Sequence, residues 1–332
     1  MRRREFITLI GGAAVARPLA ARAQQAPKMA RIGMLIPSGI DAPVTREVFG
    51  VVRQGLADLG YVEGRDIVFE RRGGDGTREG LAASASDLVS LKVDIIVAIA
   101  TPAARAAQRA TATIPIVVGS VGDPVQDGLV ASLSRPGGNI TGTTFLGPEL
   151  VSKQLALLKE LLPAASRVAV LWNPRAFSEQ TTAGMVRQVT EAAPGLGLEL
   201  RYVEVPGLDA FERAISDAAN GRAEALFQFP NPTFYENRKR LVDLAAQYRL
   251  PAMYNAREFV VVGGLIGYGA NPLVLNRRTA FFIDKILRGT KPVDLPVEQP
   301  TTFDFAINRT TAKTLGISIP QTLLAAADEV ID

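Results

Sequence analysis

The stretch DIIVAIATPAARAAQRATATIPIVV (residues 94–118) decides the fold class. It begins with an apolar run of β-favouring residues, 94–99, that predicts a buried strand. A helix follows, and we expect it to start at Thr101 and Pro102, because proline is favoured in the first helical turn. The run 114–118 then predicts a second buried strand. A strand, a helix and a strand in this order indicate a parallel sheet covered by helices.

The same alternation continues on both sides of this stretch. The first half contains further strands at 31–36 and 66–70, and further helices at 44–59 and 79–91. After Gly142 the alternation restarts, with predicted helices at 149–161, 178–193, 209–219 and 232–248 and predicted strands at 167–172, 198–205, 225–229, 251–254 and 264–268. Two such runs predict an α/β protein with two doubly wound parallel-sheet lobes. The last part of the chain suggests a late crossing between the lobes. It has a predicted helix at 272–287, an extended segment at 292–300 and a predicted strand at 302–307.

The chain opens with MRRREFITLIGGAAVARPLAARAQQ (residues 1–25), which has the parts of an export signal. Three arginines precede a short apolar segment, and an A-x-A site at 21–23 predicts a signal peptide of residues 1–23. Arg3 and Arg4, followed by Glu5, Phe6 and Ile7, also resemble the twin-arginine pattern of Tat export. The alternative is a membrane anchor, which needs about 20 apolar residues, and Arg17 interrupts this segment first. We therefore expect a periplasmic protein.

The composition excludes several classes of chemistry. The 332 residues contain no Cys and no His, which excludes disulfides, thiolate nucleophiles, Ser-His-Asp catalysis and ordinary zinc sites. The net charge is +4, but removal of residues 1–23 leaves 32 basic and 32 acidic side chains. A near-neutral domain gives no support for nucleic-acid binding. We expect no cofactor and no metal.

Several segments carry a resemblance to a known family. They are GYVEG (60–64), IPIV (114–117), GDPV (122–125), GLVASLSRPGGNITG (128–142), RVAVLWNP (167–174), DLPVEQPT (294–301) and ADEVI (327–331). On these segments the chain resembles the substrate-binding proteins of ABC transporters, in the family that includes the tryptophan-binding TrpX-like proteins. The segment 128–142 is the most specific of them. The resemblance covers nearly the whole chain.

The resemblance implies a type I periplasmic-binding fold, in which two lobes joined by three crossovers close on a ligand. Carried onto this chain, lobe one would comprise residues 30–143 and 270–297, and lobe two residues 144–269 and 298–332. Gly267 stands where a serine is common in similar proteins. If that position faces the cleft, this chain lacks a hydroxyl there, and its ligand cannot be assumed to be that of the family.

Candidate ligand contacts follow from the rule that ligands bind beyond the carboxyl ends of parallel strands. Thr101 could present its hydroxyl and nearby backbone N–H groups to a carboxylate, or simply cap a helix. Asp123 could accept from an ammonium group, or cap the turn before Pro124. The tyrosines could stack on a flat ligand or pack in the core, and the asparagines could form turns. The full set of candidates is Ser38, Thr101, Pro102, Ala103, Asp123, Asn173, Asn231, Tyr254, Glu258 and Tyr268.

These observations favour a transport receptor that captures a small carboxylate, an amino acid or an aromatic acid, by lobe closure. Its expected partners are that solute and an inner-membrane ABC permease with its cytoplasmic ATPase, and we expect a monomer. Two alternatives remain open at this point. One is a sensor that serves a signalling receptor, and the other is an exported carboxylate-based hydrolase, although no pair of acids has a clear catalytic spacing.

Overall fold

The computed structural model describes residues 29–332. The predicted signal peptide, residues 1–23, lies outside this range. No helix found between residues 29 and 332 has the length and apolar character that crossing a membrane requires.

Strands and helices alternate along the described chain. The strands are β1 (Ala30–Ile36), β2 (Ile67–Gly73), β3 (Ile95–Ile99), β4 (Ile116–Val121), β5 (Ile140–Thr144), β6 (Arg167–Trp172), β7 (Glu199–Glu204), β8 (Ala225–Gln228), β9 (Ala252–Tyr254), β10 (Ile266–Gly269), β11 (Asp304–Asn308) and β12 (Glu329–Ile331). The helices are α1 (Pro43–Asp58), α2 (Arg78–Ser90), α3 (Ala100–Ala110), α4 (Gly147–Leu161), α5 (Glu179–Ala192), α6 (Phe211–Asn220), α7 (Pro232–Glu236), α8 (Arg238–Gln247), α9 (Arg257–Val261), α10 (Pro272–Leu287), α11 (Arg309–Leu315) and α12 (Gln321–Ala326).

The strands form two sheets, one in each lobe. The first has five parallel strands in the order β2-β1-β3-β4-β5, and the second has seven in the order β12-β11-β10-β9-β8-β6-β7. All pairs are parallel except β10 with β11, which are antiparallel. The sequence therefore predicts the fold class correctly, an α/β protein with two doubly wound lobes. The antiparallel pair was not expected.

The chain passes between the lobes three times. The crossings lie between β5 and α4, between β10 and α10, and between Glu298 and β11. Two of them run side by side, because the Thr144 N–H donates to the Glu298 carbonyl (3.0 Å) and the Glu298 N–H donates to the Gly142 carbonyl (2.8 Å). Paired backbone segments of this kind form a narrow hinge.

Helix α10 belongs to the first lobe although it comes late in the chain. Its Phe282 and Ile283 are fully buried in one cluster with Val52 and Leu56 of α1 and with residues of the first sheet. The apolar face of α10 is thereby removed from water, and this burial is the main force holding it there. Strands β11 and β12, which follow it, join the second sheet.

Two predicted helices differ from the observed ones. Helix α3 begins at Ala100, earlier than expected, so Thr101 lies inside its first turn and Ile99 is the N-cap. The predicted helix 232–248 is two helices, α7 and α8, which meet at Asn237. Asn237 has φ −105° and ψ 26°, outside the helical region, which ends α7 directly after Glu236.

Candidate functional site

A cavity of about 110 Å³ lies between the two lobes, where the carboxyl ends of their strands face each other. In the first lobe, residues that follow β1 and β3 line it, together with Ser120 of β4. In the second lobe, residues that follow β8, β9 and β10 line it. Its polar lining consists of Ser38, Thr101, Ser120, Asn231, Tyr235, Glu236, Asn255 and Asn276. This is the position that the strand-end rule predicts for a ligand.

The backbone is strained at two points of the cavity wall. Ala100 has φ +64° and Ser120 has φ +53°, both in the left-handed region that residues with a side chain rarely adopt. Such conformations cost about 1–3 kcal/mol each and cluster at functional sites. The strained residue Ala100 lies at the junction where helix α3 directly follows β3. Ala100 and Thr101, at the start of α3, line the cavity, and the first N–H groups of a helix have no partner within it.

Glu236 supplies the carboxylate of the cavity. It ends α7, and its carboxylate accepts a hydrogen bond from the Ser38 hydroxyl of the opposite lobe. Burial raises the pKa of Glu236, and the bond from Ser38 offsets part of that rise. A cationic group placed beside this carboxylate would favour its charged form. Glu236 was not among the predicted residues.

Asn231 and Tyr235 are two further polar residues that line the cavity. The Asn231 Oδ1 atom accepts from the Thr233 N–H (2.7 Å) and so caps α7, which leaves its Nδ2 donor buried without a partner among residues 29–332. In the described part of the chain the Tyr235 hydroxyl is also buried without a partner. Burial raises the pKa of Tyr235, so this hydroxyl keeps its proton. Buried polar groups without partners are rare in native proteins, and these two residues both line the cavity.

The apolar part of the lining comes from both lobes. Val44, Val48 and Ile99 contribute from the first lobe, and Phe177 from the second, with Phe145 at the first crossing. The Phe145 and Phe177 rings pack with their centroids 6.3 Å apart. The cavity therefore combines a polar end with an apolar wall that suits a hydrocarbon or aromatic group.

The two lobes are in contact around this cavity. Besides the bond between Ser38 and Glu236, Arg238 of the second lobe lies 3.5 Å from Glu47 of the first. A third contact is buried, because the Asp127 carboxylate accepts from the Ser178 N–H and from the Thr181 hydroxyl, both at 3.0 Å. At least three polar contacts therefore join the two lobes in this structure.

The structure brings Ser38, Thr101 and Asn231 of the predicted residues to the cavity. The Thr101 hydroxyl is already engaged, because it accepts from the Gly122 N–H at 3.1 Å and is buried. Its expected role as a helix cap is wrong, since the helix begins before it. The contact with Gly122 does not use the hydroxyl proton, because a hydroxyl can accept and donate at the same time.

The remaining candidates do not line the cavity. Pro102 faces a separate groove, and Ala103 is buried in the core of the first lobe. Asp123 caps a turn by accepting from the N–H groups of Val125 and Gln126. Asn173 forms a turn in the same way with Arg175.

The tyrosines and Gly267 also have packing roles. Tyr254 is buried and stacks on Phe259 with the ring centroids 4.9 Å apart. Tyr268 packs against Phe303 and Phe305. A Cβ atom at Gly267 would lie 2.7 Å from the Ala256 carbonyl, so this position faces packed backbone and offers no room for a serine.

Glu258 is a buried carboxylate outside the cavity, with its Oε2 atom unpartnered among the described residues. Burial raises its pKa, so between the ordinary carboxyl pKa and the raised one the folded state holds a proton that the unfolded state releases. The charge destabilises the protein as the pH rises through this raised pKa. We expect Glu258→Gln to raise Tm by roughly 2–4 °C at pH 7, corresponding to about 1 kcal/mol.

The same comparison at low pH provides the control. Below the ordinary carboxyl pKa of about 4.3, the wild-type side chain is protonated in both states and resembles glutamine. Thermal melts of the two proteins should therefore converge near pH 4. A difference in Tm that stays constant from pH 4 to pH 8 would contradict the assignment.

Comparison with known proteins gives consistent matches. Residues 34–331 match the family model described as ABC transporter substrate binding protein. The chain is 29% identical over 263 residues to a tyrosine-binding protein of Clostridioides difficile (strain R20291), covering 79% of this chain and 74% of that protein.

Two solved structures are similar to the whole described fold. One is an ABC domain in complex with L-Trp from Streptococcus pneumoniae, with a TM-score of 0.82 and 28% identity, covering 91% of this chain and 100% of that one. The other is the ligand-free, open structure of a substrate-binding protein with adhesive properties from Clostridium difficile. Its TM-score is 0.65 at 27% identity, covering 91% of this chain and 99% of that one.

Proposed function

This chain belongs to the family of ABC transporter substrate-binding proteins, and on that premise we propose that it captures a free amino acid between its lobes and delivers it to a membrane permease. One observation carries the proposal. A half-buried carboxylate, that of Glu236, and the start of helix α3 line the same small cavity. An amino acid bears an ammonium and a carboxylate group on one carbon, and these are the charges that the two features bind.

In this arrangement the ammonium group donates to Glu236. The ligand carboxylate accepts from the N–H groups at the start of α3, and the unpartnered Asn231 Nδ2 atom is a further donor. The apolar wall with Phe145 and Phe177 receives the side chain. The names of the similar proteins support an aromatic side chain, since one is a tyrosine-binding protein and another was solved with L-Trp.

The mechanism is closure without chemistry. A ligand that contacts both lobes only in the closed form shifts the population toward that form by its difference in affinity. The comparisons support a closed structure, because at nearly equal identity the TM-score is higher with the L-Trp complex than with the open, ligand-free structure. We propose that the protein acts as a monomer and is not an enzyme.

Small-angle X-ray scattering tests the closure. The mature protein should show a smaller radius of gyration with saturating L-tyrosine or L-tryptophan than without. The ligand recovered afterwards should be chemically unchanged by mass spectrometry. A tightly bound ligand with no change in radius, or consumption of that ligand, would refute the receptor and favour the hydrolase.

The proposed location is the periplasm, reached through the twin-arginine route. That route reads the arginine pair, so replacing both Arg3 and Arg4 by lysine should leave most of the precursor in the cytoplasm. Immunoblots of periplasmic and cytoplasmic fractions measure this. Normal export of the double variant would assign the protein to the general secretory route instead.

A further inference from the structure

A second opening between the lobes is lined by four arginines. It has a volume of about 410 Å³ and lies behind the ligand cavity, from which Thr101 and Phe177 separate it. Arg78 of α2 and Arg105 and Arg109 of α3 contribute from the first lobe. Arg175, in the loop between β6 and α5, contributes from the second lobe. We call this opening the arginine groove.

None of the four guanidinium groups has an ion pair or a side-chain hydrogen bond within residues 29–332. Many other arginines of the surface are paired, as Arg72 is with Asp87, Arg167 with Glu224 and Arg278 with Glu298. The one carboxylate that lines the groove is Glu179, which is exposed and forms no ion pair with these arginines. The groove therefore carries a net positive charge of about three that the described chain leaves unneutralised.

The form of the groove favours a protein partner over a small anion. The four arginines are exposed or half-buried, and the groove is open along α2 and α3. A site for a single small anion usually encloses the anion with buried hydrogen-bond donors. Among the described residues, no buried side-chain atom that lacks a hydrogen-bond partner lines the arginine groove. Exposed arginines spread along an open groove suit the carboxylates of an acidic segment, because each can bind one carboxylate bidentately.

The groove also depends on closure. Three of its arginines belong to the first lobe and Arg175 to the second, so all four face one partner only while the lobes are together. Phe177, two residues after Arg175, lines both the ligand cavity and the groove. Closure on a ligand thus fixes the loop that carries Arg175. We propose that the arginine groove docks an acidic segment of the permease and favours the closed, loaded receptor, an inference that rests on the proposed function.

The experiment compares two triple variants with the same change of charge. One is Arg105→Gln with Arg109→Gln and Arg175→Gln. The control is Arg187→Gln with Arg213→Gln and Arg240→Gln, three exposed arginines outside the groove that form no ion pair with any described residue. Both variants should bind L-tyrosine or L-tryptophan within about twofold of wild type by calorimetry, because none of these residues lines the ligand cavity.

The first readout is uptake of the radiolabelled amino acid by cells that carry each variant in place of the natural gene. We expect the groove variant to lower uptake at least tenfold and the control to leave it unchanged. Unchanged uptake with the groove variant, or equal loss with both, would overturn the docking site. If wild type neither binds nor imports an amino acid, the proposed function fails, and the second readout still decides on the groove.

The second readout is fluorescence anisotropy with a labelled hexaglutamate peptide in about 50 mM salt, measured with and without saturating L-tyrosine or L-tryptophan to close the lobes. Wild type and the control should bind it, the groove variant should bind at least tenfold more weakly, and high salt should abolish binding by screening. Absence of binding to wild type would overturn the proposal. Displacement of the peptide by an equal concentration of inorganic phosphate would also overturn it, in favour of a small-anion site.

Discussion

Replacing Gly142 by alanine is expected to prevent the first lobe from folding. Gly142 lies in β5 with φ +139°, and a Cβ atom there would lie 2.0 Å from the Val118 carbonyl oxygen of the paired strand β4. Both the conformation and the contact exclude a side chain, and the clash is with backbone that cannot move without breaking the sheet. The expected loss exceeds about 4 kcal/mol, the range reserved for such backbone conflicts.

Glycine 138, in the same segment, gives the matched control. A Cβ atom at Gly138 meets nothing within 4 Å. Gly138→Ala should therefore change the free energy of unfolding by less than about 1 kcal/mol. Soluble yield and urea denaturation measure both variants. A Gly142→Ala protein with wild-type yield and midpoint would show that β4 and β5 do not pair as described.

The second large effect is expected on binding. Glu236→Gln keeps the size of the side chain and its bond to Ser38 but removes the charge that faces the ligand ammonium. Removing one partner of a buried charge pair costs about 2–4 kcal/mol, which is roughly 30- to 1000-fold in Kd. The loss should affect L-tyrosine and L-tryptophan. Their deaminated analogues, 3-(4-hydroxyphenyl)propanoate and indole-3-propanoate, should bind the variant no more weakly than wild type.

The Asp123→Asn variant tests whether the ligand ammonium group binds at Glu236, as we propose, or at Asp123, as the sequence suggested. Asp123 caps a turn outside the cavity, so its variant should keep the wild-type ratio between each amino acid and its deaminated analogue. Calorimetric titrations of the four ligands into the three proteins give all ratios. If Asp123→Asn loses the discrimination and Glu236→Gln keeps it, the ammonium site is misplaced.

Local patterns in the sequence predict the regular elements well. Strand β6 and helix α10 agree with the predicted bounds 167–172 and 272–287 because apolar runs and an initial proline mark their ends. Helix α3 starts earlier than predicted, and its first residue, Ala100, adopts φ +64°, a conformation that no local preference of alanine favours. The break after Glu236 likewise depends on tertiary contacts, since the segment 232–248 has the composition of one helix.

The polar lining of the cavity was harder to predict. Ser38 and Asn231 were found because they follow strands, and the strand-end rule is a property of the fold. The same rule selected Asp123 and Asn173, which close turns instead. Glu236 was missed because a glutamate in a helical pattern usually faces water. Its burial comes from the opposite lobe, through Ser38, and only the three-dimensional structure shows that contact.

The most direct test of the central claim is isothermal titration calorimetry of the mature wild-type protein with amino acids, sugars and simple dicarboxylates. The account predicts that one amino acid, most strongly an aromatic one, binds with a stoichiometry of one. It also predicts that removal of the ligand's ammonium group weakens this binding at least 30-fold, as expected for a buried charge pair of about 2 kcal/mol. Tight binding of a sugar with no binding of any amino acid would contradict the account.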